Sequence, residues 1–172
     1  IKLIWGDEGI DFDFGELKPV SLEGRVHLST PDGDCWNIDE ELLEPVAGAV
    51  VQLMDSNGQV LAETVTDDDG NYLFEDLAPG DYAIRQITPG GLVDGGSQAG
   101  SVDDEQRGQV NGEGDIQQIR LNSDEAGQNY DFCEHKPAVL SGFVYDDLDN
   151  DGVRDPGEGP IEGVLIQLFD EN

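Results

Sequence analysis

The sequence predicts an all-β protein, an immunoglobulin-like β-sandwich of about seven strands arranged in tandem repeats. Three observations predict it. The chain repeats itself, short runs alternate apolar and polar residues between turn signals, and no segment sustains helical periodicity.

The repeat sets the organisation. Shifted by 118 positions, residues 1–28 fall on 119–146 without a gap. Ile1, Leu3, Gly9, Asp13, Phe14, Glu16, Lys18, Pro19, Leu22, Gly24 and Val26 meet Ile119, Leu121, Gly127, Asp131, Phe132, Glu134, Lys136, Pro137, Leu140, Gly142 and Val144. Past a loop that differs by three residues the shift becomes 115, and Pro45, Gly48, Gln52, Leu53 and Asp55 meet Pro160, Gly163, Gln167, Leu168 and Asp170. Residues 1–18 therefore read as the C-terminal strands of a preceding repeat, 19–136 as a complete sandwich, and 137–172 as the N-terminal part of a following one. The flanks lack the middle strands that close a sandwich, so a longer polypeptide or neighbouring chains are expected to complete them. The junctions, Lys18-Pro19 and Lys136-Pro137, carry no Gly/Ser-rich run, which favours a stiff rod over a flexible string.

Within 19–136 the strands fall near 21–28, 48–54, 59–66, 71–76, 81–87, 115–122 and 128–134. Ser56-Asn57-Gly58 is a hairpin turn in which Asn and Gly supply positive φ. Tyr72/Phe74 and Tyr130/Phe132 alternate on one face, as half-buried strands require. Pro79-Gly80 turns the chain into Tyr82, which resembles the tyrosine corner of immunoglobulin-like sandwiches. Residues 88–114, rich in Gly, Asp and Ser, read as one long loop.

Composition narrows the function. At 37 % hydrophobic the 172-residue chain has enough apolar material for a core. Its 39 acidic against 8 basic residues give a net charge of −31, which repels nucleic acid and anionic membranes and attracts calcium. Solubility or adaptation to salt is the plainer reading of the same charge. No stretch reaches the roughly 20 apolar residues of a membrane helix, and Ile1 to Ile10 lack the pattern of a signal peptide, so a secretion signal is expected upstream.

Two segments carry a family resemblance. One runs from Thr66-Asp67-Asp68-Asp69-Gly70-Asn71-Tyr72 to Pro79-Gly80-Asp81-Tyr82. The other runs from Leu140-Ser141-Gly142-Phe143-Val144-Tyr145 through Asp155-Pro156-Gly157-Glu158 to Ile161-Glu162-Gly163-Val164. Together they resemble the B-type domains of serine–aspartate-repeat surface adhesins, relatives of collagen-adhesin B repeats with a prealbumin-like sandwich. The first pattern is shared with carboxypeptidase-regulatory-like domains; the second is more specific. The resemblance implies a calcium-binding spacer between a cell-wall anchor and a distal binding head, outside the cell.

The residues themselves point to calcium. Asp147-Leu148-Asp149-Asn150-Asp151-Gly152-Val153-Arg154-Asp155-Pro156-Gly157-Glu158 matches the twelve-residue EF-hand loop. Asp147, Asp149, Asp151 and Asp155 stand at positions 1, 3, 5 and 9, Val153 offers its carbonyl at 7, Gly152 makes the turn at 6, and Glu158 closes the set at 12. One tight loop can thus converge the six to eight oxygens that a hard cation needs. Without flanking helices, the ion would staple a sandwich loop. The equivalent loop of the complete repeat, Pro31 to Glu44, has lost the pattern, yet Asp32, Asp34, Asn37, Asp39, Glu40 and Glu41 remain as a second candidate set. Asp67, Asp68 and Asp69 form a third. Each competes with a solvated acidic turn that holds no ion.

Cys35 interrupts the decayed loop and Cys133 sits in the last strand of the same repeat, with Gly15 at the matching position upstream. The pair is expected to form a disulfide and so to mark an oxidising, extracytoplasmic setting; two buried thiols are the alternative. The Lys–Asn isopeptide bond common in collagen-adhesin repeats is not expected, since Arg25 stands where a lysine is wanted and Asn129, in the last strand, has no partner.

Enzymatic motifs are missing. His27 and His135 are the only histidines and read as surface or interface residues; there is no P-loop and no dinucleotide fingerprint. Trp5 and Trp36 read as loop anchors, with a sugar platform as the alternative. The sequence reading is a non-enzymatic structural module of an extracellular or cell-surface stalk or fibre. Its partners are expected to be neighbouring repeats or copies of the same protein. An adhesive module that binds a protein or glycan through residues 88–114 is the second reading, and an accessory domain of a secreted hydrolase the third.

Overall fold

The computed structural model describes residues 5, 15–39, 42–112 and 114–169; most of the preceding-repeat segment 1–18, and Glu40 and Glu41 of the second candidate set, lie outside them. The chain divides into two compact units, 1–137 and 138–172.

The first unit is an all-β sandwich. One sheet is built on β1 (Val20–Leu28), which changes partners midway. Its first half lies between β5 (Asn71–Leu77), antiparallel, and β12 (Ala126–Gly127), parallel; its second half lies between β2 (Glu44–Pro45) and β13 (Asp131–His135). The switch occurs at Gly24, where a Cβ would stand 1.9 Å from the Tyr130 carbonyl oxygen. No side chain fits between the two backbones, which accounts for a glycine inside a strand that otherwise disfavours one. The other sheet orders β10 (Gln109–Val110), β11 (Asp115–Leu121), β6 (Gly80–Ile87), β3 (Val50–Asp55) and β4 (Val60–Val65).

The core lies between the sheets. Leu22, Val26, Tyr72, Phe74 and Phe132 meet Val51, Leu53, Ile84, Ile116 and Ile119, all at least nine-tenths buried. The period-two spacing of Tyr72 and Phe74, and of Val51 and Leu53, is the alternation of a sheet with one buried face. Tyr82 donates its hydroxyl to the Ala78 carbonyl four residues back, the tyrosine-corner contact.

Three local expectations are corrected. Residues 88–114 are not one loop. They contain β7 (Val93–Gln98), paired antiparallel with β13, the hairpin β8 (Ser101–Val102) and β9 (Glu105–Gln106), and β10. The glycines that suggested a loop serve the pairing, because a Cβ at Gly95 would stand 3.1 Å from Cys35 Sγ and 3.0 Å from His135 Nε2. Of the predicted strand 128–134 only the part from Asp131 is strand, as β13; Asn129, at φ 61°, lies outside any strand, between β13 and the short β12 that precedes the predicted bounds. In the β3–β4 hairpin Gly58 alone takes positive φ; Asn57 instead donates its backbone N–H to Asp55 Oδ1 at 2.9 Å.

Candidate metal and crosslink sites

The loop 147–158 is closed at its base by pairing of Tyr145 with Pro160, by Asp146 N–H to the Gly159 carbonyl at 3.0 Å, and by Ile161 N–H to the Val144 carbonyl at 2.9 Å. Asn150 and Gly152 both adopt positive φ, which lets the chain reverse tightly over the acidic positions. Backbone N–H groups then fold around the side chains. Asp147 accepts from Asp151 at 3.2 Å and Gly152 at 3.0 Å, and Asp151 accepts from Val153 at 2.7 Å.

As a result Asp147, Asp149 and Asp151 offer carboxylate oxygens that all lie within 4.8 Å of one another. Three like charges at that spacing repel unless a cation lies between them. Among the described residues no lysine or arginine supplies one; the Arg154 guanidinium lies over the Phe143 ring, 4.6 Å from its centre. An oxygen-only set of this kind fits calcium. Glu158, only 7 % exposed, spans the loop, its two oxygens accepting Leu148 N–H and Asp155 N–H, each at 2.9 Å. It is not gathered into the three-carboxylate group, and Asp155 meets it through backbone contacts. Val153, exposed, lies beside the group.

The other two candidate sets are arranged differently. In the loop after β1, Asp34 turns its Oδ1 onto the N–H groups of Trp36 at 2.9 Å and Asn37 at 3.1 Å, and Asn37 Nδ2 donates to Oδ2 at 3.1 Å. These donors hold the Asp34 carboxyl below its usual range. Asp32 accepts from the Thr30 hydroxyl at 2.6 Å, and the Asp39 carbonyl accepts Leu42 N–H. Between β4 and β5, Asp67 Oδ1 accepts Asp69 N–H at 3.0 Å and Asn71 N–H at 2.8 Å. In both loops the acids serve as turn formers, satisfying backbone donors. Among the described residues neither set gathers three acids.

Cys35 and Cys133 form a disulfide, with 5.8 Å between Cα atoms and a sequence separation of 98. It ties the loop after β1 to β13. Trp36, next in sequence, packs edge-on against His27 at 5.6 Å. His27 is buried, contrary to its reading as a surface residue; burial lowers its pKa, and its Nδ1 lies 3.2 Å from the Leu28 carbonyl. His135 is half-buried, its Nδ1 2.7 Å from Ser29 Oγ. Arg25 approaches Asp131 at 3.6 Å and donates its backbone N–H to the same carboxyl at 3.0 Å.

Sequence reasoning missed a fully buried glutamate, Glu134. The signal was present, since Glu134 is one of the identities of the repeat, paired with Glu16. It passed as one more acid in an acidic chain.

The pattern of the SdrD B-like domain matches residues 31–133. Serine-aspartate repeat-containing protein D of Staphylococcus aureus (strain Newman) is 36 % identical over 168 residues, which cover 97 % of this chain and 12 % of that protein. Serine-aspartate repeat-containing protein I of Staphylococcus saprophyticus is 30 % identical over 164 residues, covering 92 % of this chain and 8 % of that protein. The chain thus spans about an eighth or less of the length of these relatives. Among solved structures, GBS52, the minor pilin of Streptococcus agalactiae, aligns over 73 % of this chain and 49 % of its own at 19 % identity, with a TM-score of 0.43.

Proposed function

Because this chain belongs to the SdrD B-like domain family, we propose that it is a structural spacer of an extracellular stalk or fibre, stiffened by calcium and disulfide. It is a cell-surface or extracellular segment of the surface-adhesin type. The spacer reading assigns it no catalytic role. Its partners are neighbouring repeats or copies of the same protein, and the protein it belongs to is secreted.

The observation that carries the reading is the convergence of Asp147, Asp149 and Asp151 within one short loop. These three would hold calcium, with the Val153 carbonyl, Asp155 and Glu158 completing the shell. The ion would cancel their repulsion and lock the loop. The disulfide plays the same part in the complete sandwich, where it removes the freedom of the loop after β1. A module whose long connections are fixed transmits force without yielding locally, which suits a spacer.

Calcium titration of the chain by isothermal calorimetry tests this. The wild type is expected to take up calcium, with magnesium a poor competitor, and Asp149→Asn with Asp151→Asn is expected to remove that uptake at the loop. Uptake unchanged by the two substitutions would leave 147–158 as a solvated turn and would remove calcium from this part of the stalk.

A further inference from the structure

We propose that Asn111 is a modification site, where the chain's own backbone drives deamidation in water, while Asn57, in the same dipeptide, is protected by its turn. The chain holds two Asn-Gly pairs, Asn57-Gly58 and Asn111-Gly112. Each sits at the tip of a hairpin, the first between β3 and β4 and the second between β10 and β11. A glycine in second place matters because no Cβ obstructs its nitrogen on the way to the asparagine Cγ. Both pairs are exposed, both glycines take positive φ, at 81° and 79°, and a Cβ on either would meet nothing within 4 Å. Dipeptide and access are therefore matched. The hydrogen bonds are not.

At the first tip Gly58 N–H donates to the Asp55 carbonyl at 3.0 Å, and Asn57 Nδ2 donates to Asp55 Oδ2 at 3.4 Å. The Gln59 N–H, with that of Asn57, holds the Asp55 carboxyl below its usual range. A carboxylate thus stands beside the nitrogen that must lose a proton before it can attack. At the second tip Asn111 N–H donates to the Asp115 carbonyl at 2.9 Å and closes the hairpin. Among the described residues the Asn111 side-chain amide and the Gly112 N–H have no partner.

The free groups are the two that react. Gly112 N bonds to Asn111 Cγ, the Cγ–Nδ2 bond breaks, and ammonia leaves with the proton that Gly112 N gave up. Water then opens the succinimide at either carbonyl, giving aspartate or isoaspartate, with no change of oxidation state. Each event adds a negative charge, and the isoaspartyl product lengthens the main chain by one carbon beside β10. That strand is the edge of its sheet, paired to β11 alone, so a surface segment would carry a record of its age there.

The full chain is incubated at mildly alkaline pH, folded or in denaturant, and mapped by mass spectrometry with isoaspartate resolved. Two hydrogen bonds must open at Asn57, so Asn111 is expected to convert faster by roughly tenfold or more in the folded chain. In denaturant the two rates are expected to converge, since the dipeptides are the same. Asp55→Ala is expected to speed Asn57 several-fold and to leave Asn111 unchanged. An Asn111 no faster than Asn57, a ratio that persists in denaturant, or an Asn57 indifferent to D55A overturns the proposal.

Discussion

The loop that follows β1 has a counterpart in the sequence repeat at 147–158, and the two are organised by different chemistry. In the complete sandwich Cys35 ties it to Cys133 on the last strand, and its acids are spent on nearby donors: Asp34 on backbone N–H groups, Asp32 on the Thr30 hydroxyl. In unit 138–172 the equivalent loop has no cysteine, and Asp147, Asp149 and Asp151 turn oxygens toward one another. The difference teaches that the number of carboxylates does not make an ion site. What matters is whether their lone pairs converge on a point or are taken up by the turn. The loop that carries the covalent tie is the one whose acids serve as turn formers.

Removing the tie should produce the largest effect. In the chain-entropy model a crosslink closing a loop of about 100 residues contributes roughly 4–5 kcal/mol, an upper figure in practice. Cys35→Ala with Cys133→Ala is expected to lower the unfolding midpoint of the sandwich by ten degrees or more, measured by calorimetry. A change of a degree or two would show that the 31–44 loop is held by its turn contacts alone.

Glycine sharpens the comparison next. Gly24 and Gly142 occupy the same place in the repeat, but a Cβ at Gly24 collides with the Tyr130 backbone while one at Gly142 meets nothing within 4 Å. Gly24→Ala should cost about 1–3 kcal/mol through overpacking, and Gly142→Ala should leave the chain unchanged, by chemical denaturation of both. Equal effects would contradict the contact at the strand switch.

Acid titration separates a carboxylate held by charged and backbone donors from one dominated by burial. Arg107 and the Asn122 N–H hold Glu125 down at about 2. Because its folded pKa is depressed, its contribution is present above the ordinary glutamate value and is lost as pH falls from about 4.5 through 2. Asp131 is raised by burial in spite of Arg25, so its sign is opposite: ionisation in the fold is penalised, and that penalty fades as pH falls through the raised value. Carboxyl-carbon NMR should find Glu125 titrating well below Asp131. The reverse order would break both assignments. The smallest effect expected is that of Tyr82→Phe, about 1 kcal/mol for one lost hydrogen bond to Ala78, by the same denaturation measurement.

Much of this was legible in the sequence, for physical reasons that vary by residue. The repeat and the alternation of Tyr72 and Phe74 reported the sandwich, because burying one face of a strand leaves a period-two trace. Cys35 and Cys133 were readable as a pair because the repeat isolates them from other partners. β7 was hidden. Its Asp94-Gly95-Gly96-Ser97 segment pairs through its backbone, and its glycines make room for the disulfide and His135, contacts formed by residues distant in sequence. The fate of the acids was equally invisible. Asp34 and Asp149 look alike as letters, and only the folded turn decides which meets an N–H group and which meets other carboxylates.

Hydrogen–deuterium exchange of the whole chain, read peptide by peptide in calcium or chelator and with the disulfide intact or reduced, tests the central comparison most directly. The account predicts that chelator speeds exchange over 147–158, that reductant speeds it over 29–44, and that neither treatment alters the other loop. Loops that respond alike to both treatments, or a 147–158 segment indifferent to calcium, would contradict it.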